Sequence, residues 1–143
     1  MKLWNAPDGA DRLSLLGPPA AVRAIDFHPD NARLASAGDD GTVRIWRLPT
    51  PPNLLAGHTA AIQDLAATRN GQFLATAGGD HTVRIWSGTN GQPVRTLTGH
   101  TAPATAVAVR PDDAQLASAD SEGMLRLWNM ASGQPEGVLG AHT

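Results

Sequence analysis

The sequence predicts an all-β protein assembled from repeated sheets, and three observations carry that prediction. The stretch LASAGDDGTVRIW at residues 34–46 returns as LATAGGDHTVRIW at residues 74–86, identical at 10 of 13 positions, and again, more divergent, as LASADSEGMLRLW at residues 116–128. Trp4, Trp46, Trp86 and Trp128 are spaced 42, 40 and 42 residues apart, and a fixed period near forty marks a chain of stacked supersecondary units. Nowhere does a 3.6-residue apolar period persist long enough for a helix.

Each copy holds its own folding instructions. Leu34, Ala35, Ser36 and Ala37 form a short strand pattern, Gly38-Asp39-Asp40-Gly41 a tight polar turn, and Thr42 to Trp46 a β-branched run. Two period-2 strands joined by an Asp/Gly turn predict a β-hairpin. The second copy keeps the device with Gly78-Gly79-Asp80.

The remaining elements follow in order. Lys2-Leu3-Trp4 matches the end of a hairpin, so the chain is expected to begin within a repeat. Residues 12–16 and 22–27 read as strands, separated by the break Gly17-Pro18-Pro19. Prolines 49, 51 and 52 suit a loop at a sheet edge, before the short strand Leu54-Leu55. The cycle then repeats with strands at 62–67 and 94–97, and a third time at 104–109 and 138–139. Asn70-Gly71 and Asn90-Gly91 are turn chemistry.

Bulk properties exclude several classes. A net charge of −2 gives no electrostatic case for nucleic acid or an anionic membrane. The absence of cysteine removes disulfides, thiolate metal sites and thiol nucleophiles. No apolar run reaches signal-peptide or bilayer length, so a cytoplasmic location is expected.

Gly57-His58 and Gly99-His100, each with a tryptophan 28 residues after the histidine, resemble the blades of WD-repeat β-propellers. The resemblance covers essentially the whole chain. The dipeptide that names the family is absent, because the four tryptophans are followed by Asn, Arg, Ser and Asn. It implies blades of four antiparallel strands. Residues 2–16 form a partial blade, and 17–56, 57–98 and 99–143 three full repeats within one array spanning residues 1–143. It also implies a hydrogen-bonded tetrad per blade. His58, Thr76, Asp80 and Trp86 form the complete set. Pro18 stands where the first blade would have its histidine, leaving Ser36, Asp40 and Trp46, and the third set reads His100, Ser118, Glu122 and Trp128.

Serine, histidine and aspartate could instead form a hydrolase triad, and His58, His100 and His142 could ligate zinc. Recurrence once per repeat, always with a tryptophan, speaks for scaffolding, and blade geometry keeps the three histidines too far apart for bonds of ~2 Å. No catalytic, cofactor or metal residue is therefore assigned. His28 and His81 fall in turns and are expected to be solvated. Asp26, replaced by Ala66 and Ala108 in the other repeats, is a candidate channel residue or a partner for Arg23.

Closed propellers use four to eight blades, and the family favours seven. Three and a half blades leave a flat face bare at each end of the stack. At ~25 cal/mol/Å², covering only ~300 Å² of apolar face is worth roughly 7 kcal/mol, comparable with the stability of a domain. A ring closed by a homo-oligomer is expected, with a complementary propeller fragment as the other partner. Two copies supply six full blades and two unmatched strand pairs, so residues 2–16 are left without inner strands.

The function the resemblance implies is a non-catalytic scaffold for protein–protein interaction. Its contact face would carry Ala20, Asp39, Ala60, Ala61, Gly79, Ala102, Pro103 and Ser121, a surface poor in the aromatic and arginine anchors of strong interfaces. The competing readings are a small-ligand or enzymatic site in a central channel near Asp26, and a sensor module severed from a larger signalling protein.

Overall fold

The computed structural model describes residues 2–4, 11–14, 20–30, 32–47 and 53–141. These form fourteen strands and no helix. A two-stranded sheet pairs β1 (Lys2–Trp4) with β2 (Asp11–Ser14). The N-terminal blade comprises β3 (Val22–Phe27), β4 (Arg33–Gly38), β5 (Thr42–Arg47) and β6 (Asn53–Ala56). The middle blade comprises β7 (Ile62–Ala67), β8 (Phe73–Gly78), β9 (Val83–Ser87) and β10 (Pro93–Leu97). The C-terminal blade comprises β11 (Ala104–Val109), β12 (Gln115–Asp120), β13 (Met124–Asn129) and β14 (Pro135–Ala141). Every blade is antiparallel with its strands in chain order, as the short connections require. The stack of sheets does not close into a ring.

The repeated hairpin sets the register of each blade. Leu34 lies opposite Trp46, Leu74 opposite Trp86, and Leu116 opposite Trp128. In the first hairpin the Gly41 amide donates to the Gly38 carbonyl at 3.1 Å, and Gly41 takes a φ of 71°. This is a tight turn followed by a left-handed residue, a geometry that suits the twist of a hairpin. His81 and Gly123 take the same place in the other blades, with φ of 66° and 80°. His81 is exposed there.

Each blade is apolar on both flanks, so the core lies between blades. Ala35, Ala37, Val43, Ile45 and Leu55 of the N-terminal blade pack on Ile62, Leu65, Leu74 and Trp86 of the middle blade. Ala75, Ala77, Val83, Ile85 and Leu97 of the middle blade pack in the same way on Ala104, Val107, Leu116 and Trp128. The alternation Leu-Ala-Ser/Thr-Ala works because sheets this close leave room for alanine methyls in the inner rows.

Polar contacts pin both joints. Asp26 accepts a hydrogen bond from the Ala67 amide at 2.9 Å, and Asp64 accepts one from the Val107 amide at 2.9 Å. At the turn end, Asp113 accepts from the amides of Arg69 and Asn70 at 2.7 and 3.0 Å. His28 was expected in solvent. It is instead part-buried against the middle blade, its Nε2–H donating to the Gly71 carbonyl at 2.7 Å while Nδ1 accepts from the Asp30 amide at 3.2 Å. Arg33 reaches across the same joint to the Gly88 carbonyl.

Gly71 is constrained twice, by a φ of 68° and by the His28 ring, which an added Cβ would meet at 2.3 Å. Gly71→Ala is expected to destabilise the chain by about 1–3 kcal/mol, from left-handed strain and displacement of the ring. Urea denaturation followed by tryptophan fluorescence measures this, and an unchanged midpoint would remove His28 from the joint.

Candidate functional site

The residues that recur in every repeat converge on the rim where the hairpin turns meet the loops entering the inner strands. In the middle blade the Trp86 indole Nε1–H donates to Thr76 Oγ1 at 2.9 Å. The Thr76 hydroxyl in turn reaches His58 Nε2 at 2.8 Å, and His58 Nδ1 lies 2.9 and 3.0 Å from the two Asp80 oxygens. Placing the imidazole proton on Nδ1 satisfies every member: indole to hydroxyl, hydroxyl to Nε2, Nδ1–H to carboxylate. Asp80 also accepts from the Thr59 amide at 3.0 Å and the Thr82 hydroxyl at 2.7 Å, tying the entry loop to the hairpin. Thr76, Trp86 and the His58 side chain are fully buried and the Asp80 side chain nearly so, which shuts the chain of bonds off from solvent.

Burial sets the direction of titration at the imidazole, and hydrogen bonding sets it at the carboxyl. It lowers the His58 pKa, with the neighbouring Arg84 charge acting in the same direction, and the Asp80 hydrogen bond only partly offsets the two. Burial alone would raise Asp80, but hydrogen bonds from Thr82, His58 and the Thr59 amide overcome it and hold the carboxyl at about 2.

In the C-terminal blade the same chain of bonds runs from Trp128 Nε1–H to Ser118 Oγ at 2.8 Å and on to His100 Nε2 at 2.7 Å. Its acid is not Glu122. Asp120, the last residue of β12, lies 2.8 Å from His100 Nδ1 and also accepts from the amides of Glu122 and Met124. The Glu122 side chain is exposed. The reason is visible in the middle blade, where a Cβ on Gly78, the residue equivalent to Asp120, would lie 2.3 Å from His58 Nδ1. A side chain at that strand end already points at the imidazole. The sequence signal was a paired exchange: Gly-x-Asp in the first two repeats becomes Asp-x-Glu in the third.

The N-terminal blade holds the indole-to-hydroxyl bond, Trp46 Nε1–H to Ser36 Oγ, at 2.9 Å. Its Asp40 turns to Arg44 at 2.6 Å and to Thr42. Pro18 and His142 lie outside the described residues.

The other candidates scatter between roles. Asp26 is no free channel carboxylate, because it serves the Ala67 amide, and Arg23 pairs with Asp39 through bonds of 2.6 and 2.7 Å. Along the rim, the amides of Asp39, Gly79 and Ser121 donate to the carbonyls of Ala21, Ala61 and Pro103 at 3.1, 2.8 and 2.9 Å. The structure thus brings the expected contact residues together pairwise, hairpin turn on entry loop. Ala20, Ala60, Ala61, Gly79 and Pro103 are half-buried, and Asp39 and Ser121 are exposed. Ala102 is 4% exposed and is removed from the contact face. Among the described residues, no three His, Asp or Glu side chains come together to hold a metal ion.

Four-stranded antiparallel blades seated face to face, with a buried imidazole–hydroxyl–indole chain in two of them, define a β-propeller repeat protein. The family described as "WD domain, G-beta repeat" matches residues 11–47, 50–87 and 91–129, and the chain belongs to that family. It is 38% identical over 48 residues to Lissencephaly-1 homolog 1 of Paramecium tetraurelia, covering 34% of this chain and 12% of that protein. It is 35% identical over 65 residues to the Serine-threonine kinase receptor-associated protein of Gallus gallus, covering 43% of this chain and 18% of that one. It is 33% identical over 51 residues to DDB1- and CUL4-associated factor 13 of Dictyostelium discoideum, covering 36% and 12%. The matched segments thus span under a fifth of the relatives' own length.

Two outcomes follow from the tetrads. Asp120→Ala is expected to destabilise the chain by about 1–3 kcal/mol, because it leaves a buried imidazole donor unpaired, whereas Glu122→Ala stays within about 0.5 kcal/mol of the parent. Equal urea midpoints for the two variants would restore Glu122 to the set. Because the folded pKa of His58 lies below its unfolded value of 6.5, the neutral ring stabilises the fold fully above pH 6.5. That contribution is lost as pH falls below 6.5 toward the folded pKa. Stability measured by urea at pH 7 and pH 5 is expected to fall with acid, with a shallower slope in His58→Gln; parallel slopes would contradict a dry imidazole.

Proposed function

We propose that this chain is a non-catalytic WD-repeat scaffold, working in the cytoplasm, that completes its propeller by assembling with further copies of itself. One observation carries the assembly reading. Val22, Ile25 and Phe27 of β3 occupy the positions that Ile62, Leu65 and Ala67 occupy in β7, by their pairing with Gly38, Ser36 and Leu34 against Gly78, Thr76 and Leu74. Ile62 and Leu65 are 0% and 6% exposed beneath the preceding blade, whereas Val22, Ile25 and Phe27 are 50%, 56% and 53% exposed. Leu34 and Trp46 on the same flank are buried, so the opening lies over the inner strand. Three large apolar side chains in a row on one strand are a surface shaped for a neighbouring blade.

The non-catalytic reading is supported by the fate of the only Ser-His-Asp geometry present among the described residues. Ser118 is 2% exposed, and its oxygen accepts the Trp128 indole proton while its own proton goes to His100. A nucleophile needs access to substrate, and this hydroxyl is buried behind the indole and the imidazole that it bonds. The names of two relatives, a receptor-associated protein and a DDB1- and CUL4-associated factor, describe proteins that associate with others, which agrees with a scaffold role.

Light scattering over a hundredfold range of concentration tests assembly. The weight-average mass is expected to rise above the 14.9 kDa of one chain, and Ile25→Asp is expected to return it toward that value. A mass of one chain at every concentration would overturn the reading.

A further inference from the structure

Resting on that assembly reading, we infer that the C-terminal blade of one copy seats on the N-terminal blade of the next through a specific joint, in which Phe27 enters a hollow beneath Ala108. The hollow, about 250 Å³, is lined by Ala108, Val109, Arg110, Gln115, Ala117 and Leu127. Five of these six match in register the half of the N-terminal blade that receives the middle blade; the sixth, Val109, stands for Phe27. Ala108 stands for Asp26 and Ala117 for Ala35, because Ala108 pairs with Ala117 as Asp26 pairs with Ala35. Leu127 stands for Ile45, opposite Ala117 as Ile45 is opposite Ala35. Arg110 and Gln115 stand for His28 and Arg33, sharing the same amide-to-carbonyl bond that closes the turn.

Where that half is occupied, the residual space between the N-terminal and middle blades is only about 20 Å³, bounded on the far side by Ala67, Phe73, Leu74 and Gly88. The hollow on the C-terminal blade is therefore the open form of a joint that the same molecule shows closed. What fills it must resemble the leading flank of a blade. The N-terminal blade of a second copy offers such a flank uncovered.

Size decides the fit at one rung. In the first joint the long side chain is on the trailing blade, Asp26, and the leading blade answers with Ala67, whose amide the carboxylate takes. In the second joint Ala66 on the trailing blade is paired with the larger Val109 on the leading blade, and both pack against the shared core. At the proposed joint the trailing blade has Ala108, an alanine as at the second joint, and the leading blade has Phe27, the largest of the three leading residues. A phenyl ring occupies the volume that the missing carboxylate leaves. The contact is head-to-tail, so it propagates to a closed ring or to a filament according to its rotation.

The test compares the full chain with Phe27→Ala, Ala108→Asp, Ala108→Leu and the double variant Phe27→Ala/Ala108→Asp by sedimentation equilibrium. Both substituted positions lie on open flanks, so unfolding midpoints of the monomer are expected to match the parent. Phe27→Ala is expected to weaken association about ten- to a hundredfold through lost apolar burial. Ala108→Leu and Ala108→Asp fill the hollow and weaken it as well. The double variant copies the Asp26–Ala67 pairing and is expected to recover at least about tenfold over Ala108→Asp alone, a coupling that independent sites do not give. Association unchanged in the single variants, or a double variant no stronger than the sum of its parts, would sink this joint and leave self-assembly standing. A parent chain that never associates would remove both.

Discussion

The constraint on which this molecule depends is that a blade of four short strands is apolar on both flanks. A sheet that can face water on one side needs a single cover. These sheets need two, and the only covers of the right shape are other sheets of the same kind. Val83, Ile85 and Trp86 are all buried although the strand alternates, because one flank meets the blade before and the other the blade after. Stability is thus shared between neighbours, in the way repeat arrays distribute it, and an end blade is always the weak one.

Polar groups fix the register that apolar contact leaves loose. Alanine-rich flanks such as Ala35, Ala37, Ala75 and Ala77 slide past one another at little cost, since small methyl groups interlock weakly. The bonds from Asp26 to the Ala67 amide and from Asp64 to the Val107 amide stop that sliding at the inner strands. His28, Arg33 and Asp113 stop it at the turns. The tetrads do the equivalent work within a blade: His58 and Asp80 bind the entry loop to the hairpin turn, and Trp86 carries the bond outward to β9. The result is a frame tied by polar bonds both within blades and between them.

The elements that local pattern specifies were legible in the sequence. Alternation in Leu-Ala-Ser-Ala, an Asp/Gly turn and a β-branched run specify a hairpin without reference to anything distant, and β4–β5, β8–β9 and β12–β13 form accordingly. Contacts between repeats were not legible, because their geometry depends on how two sheets cross. His28 in a His-Pro-Asp turn looks like a solvated residue until the Gly71 carbonyl of the next blade is set beside it. Asp26 looks like an unmatched charge in a channel until the Ala67 amide is placed 2.9 Å away.

Asp120 is the instructive miss, because the information was present in the sequence and the columnwise comparison hid it. Aligning repeats by position makes Glu122 the heir of Asp80, one methylene too long. Direction in space matters more than position in a column. The strand-end Cβ at residue 78 points into the imidazole, so a carboxylate there replaces one offered from the turn two residues later. The middle blade keeps glycine at that site because its acid comes from Asp80, and a side chain would collide with the ring. The C-terminal blade has the carboxylate at that strand end, and its turn residue Glu122 faces solvent. A repeat therefore conserves an arrangement of donors and acceptors rather than a row of residues. The same reasoning reads Phe27 and Ala108 as one feature divided between two blades.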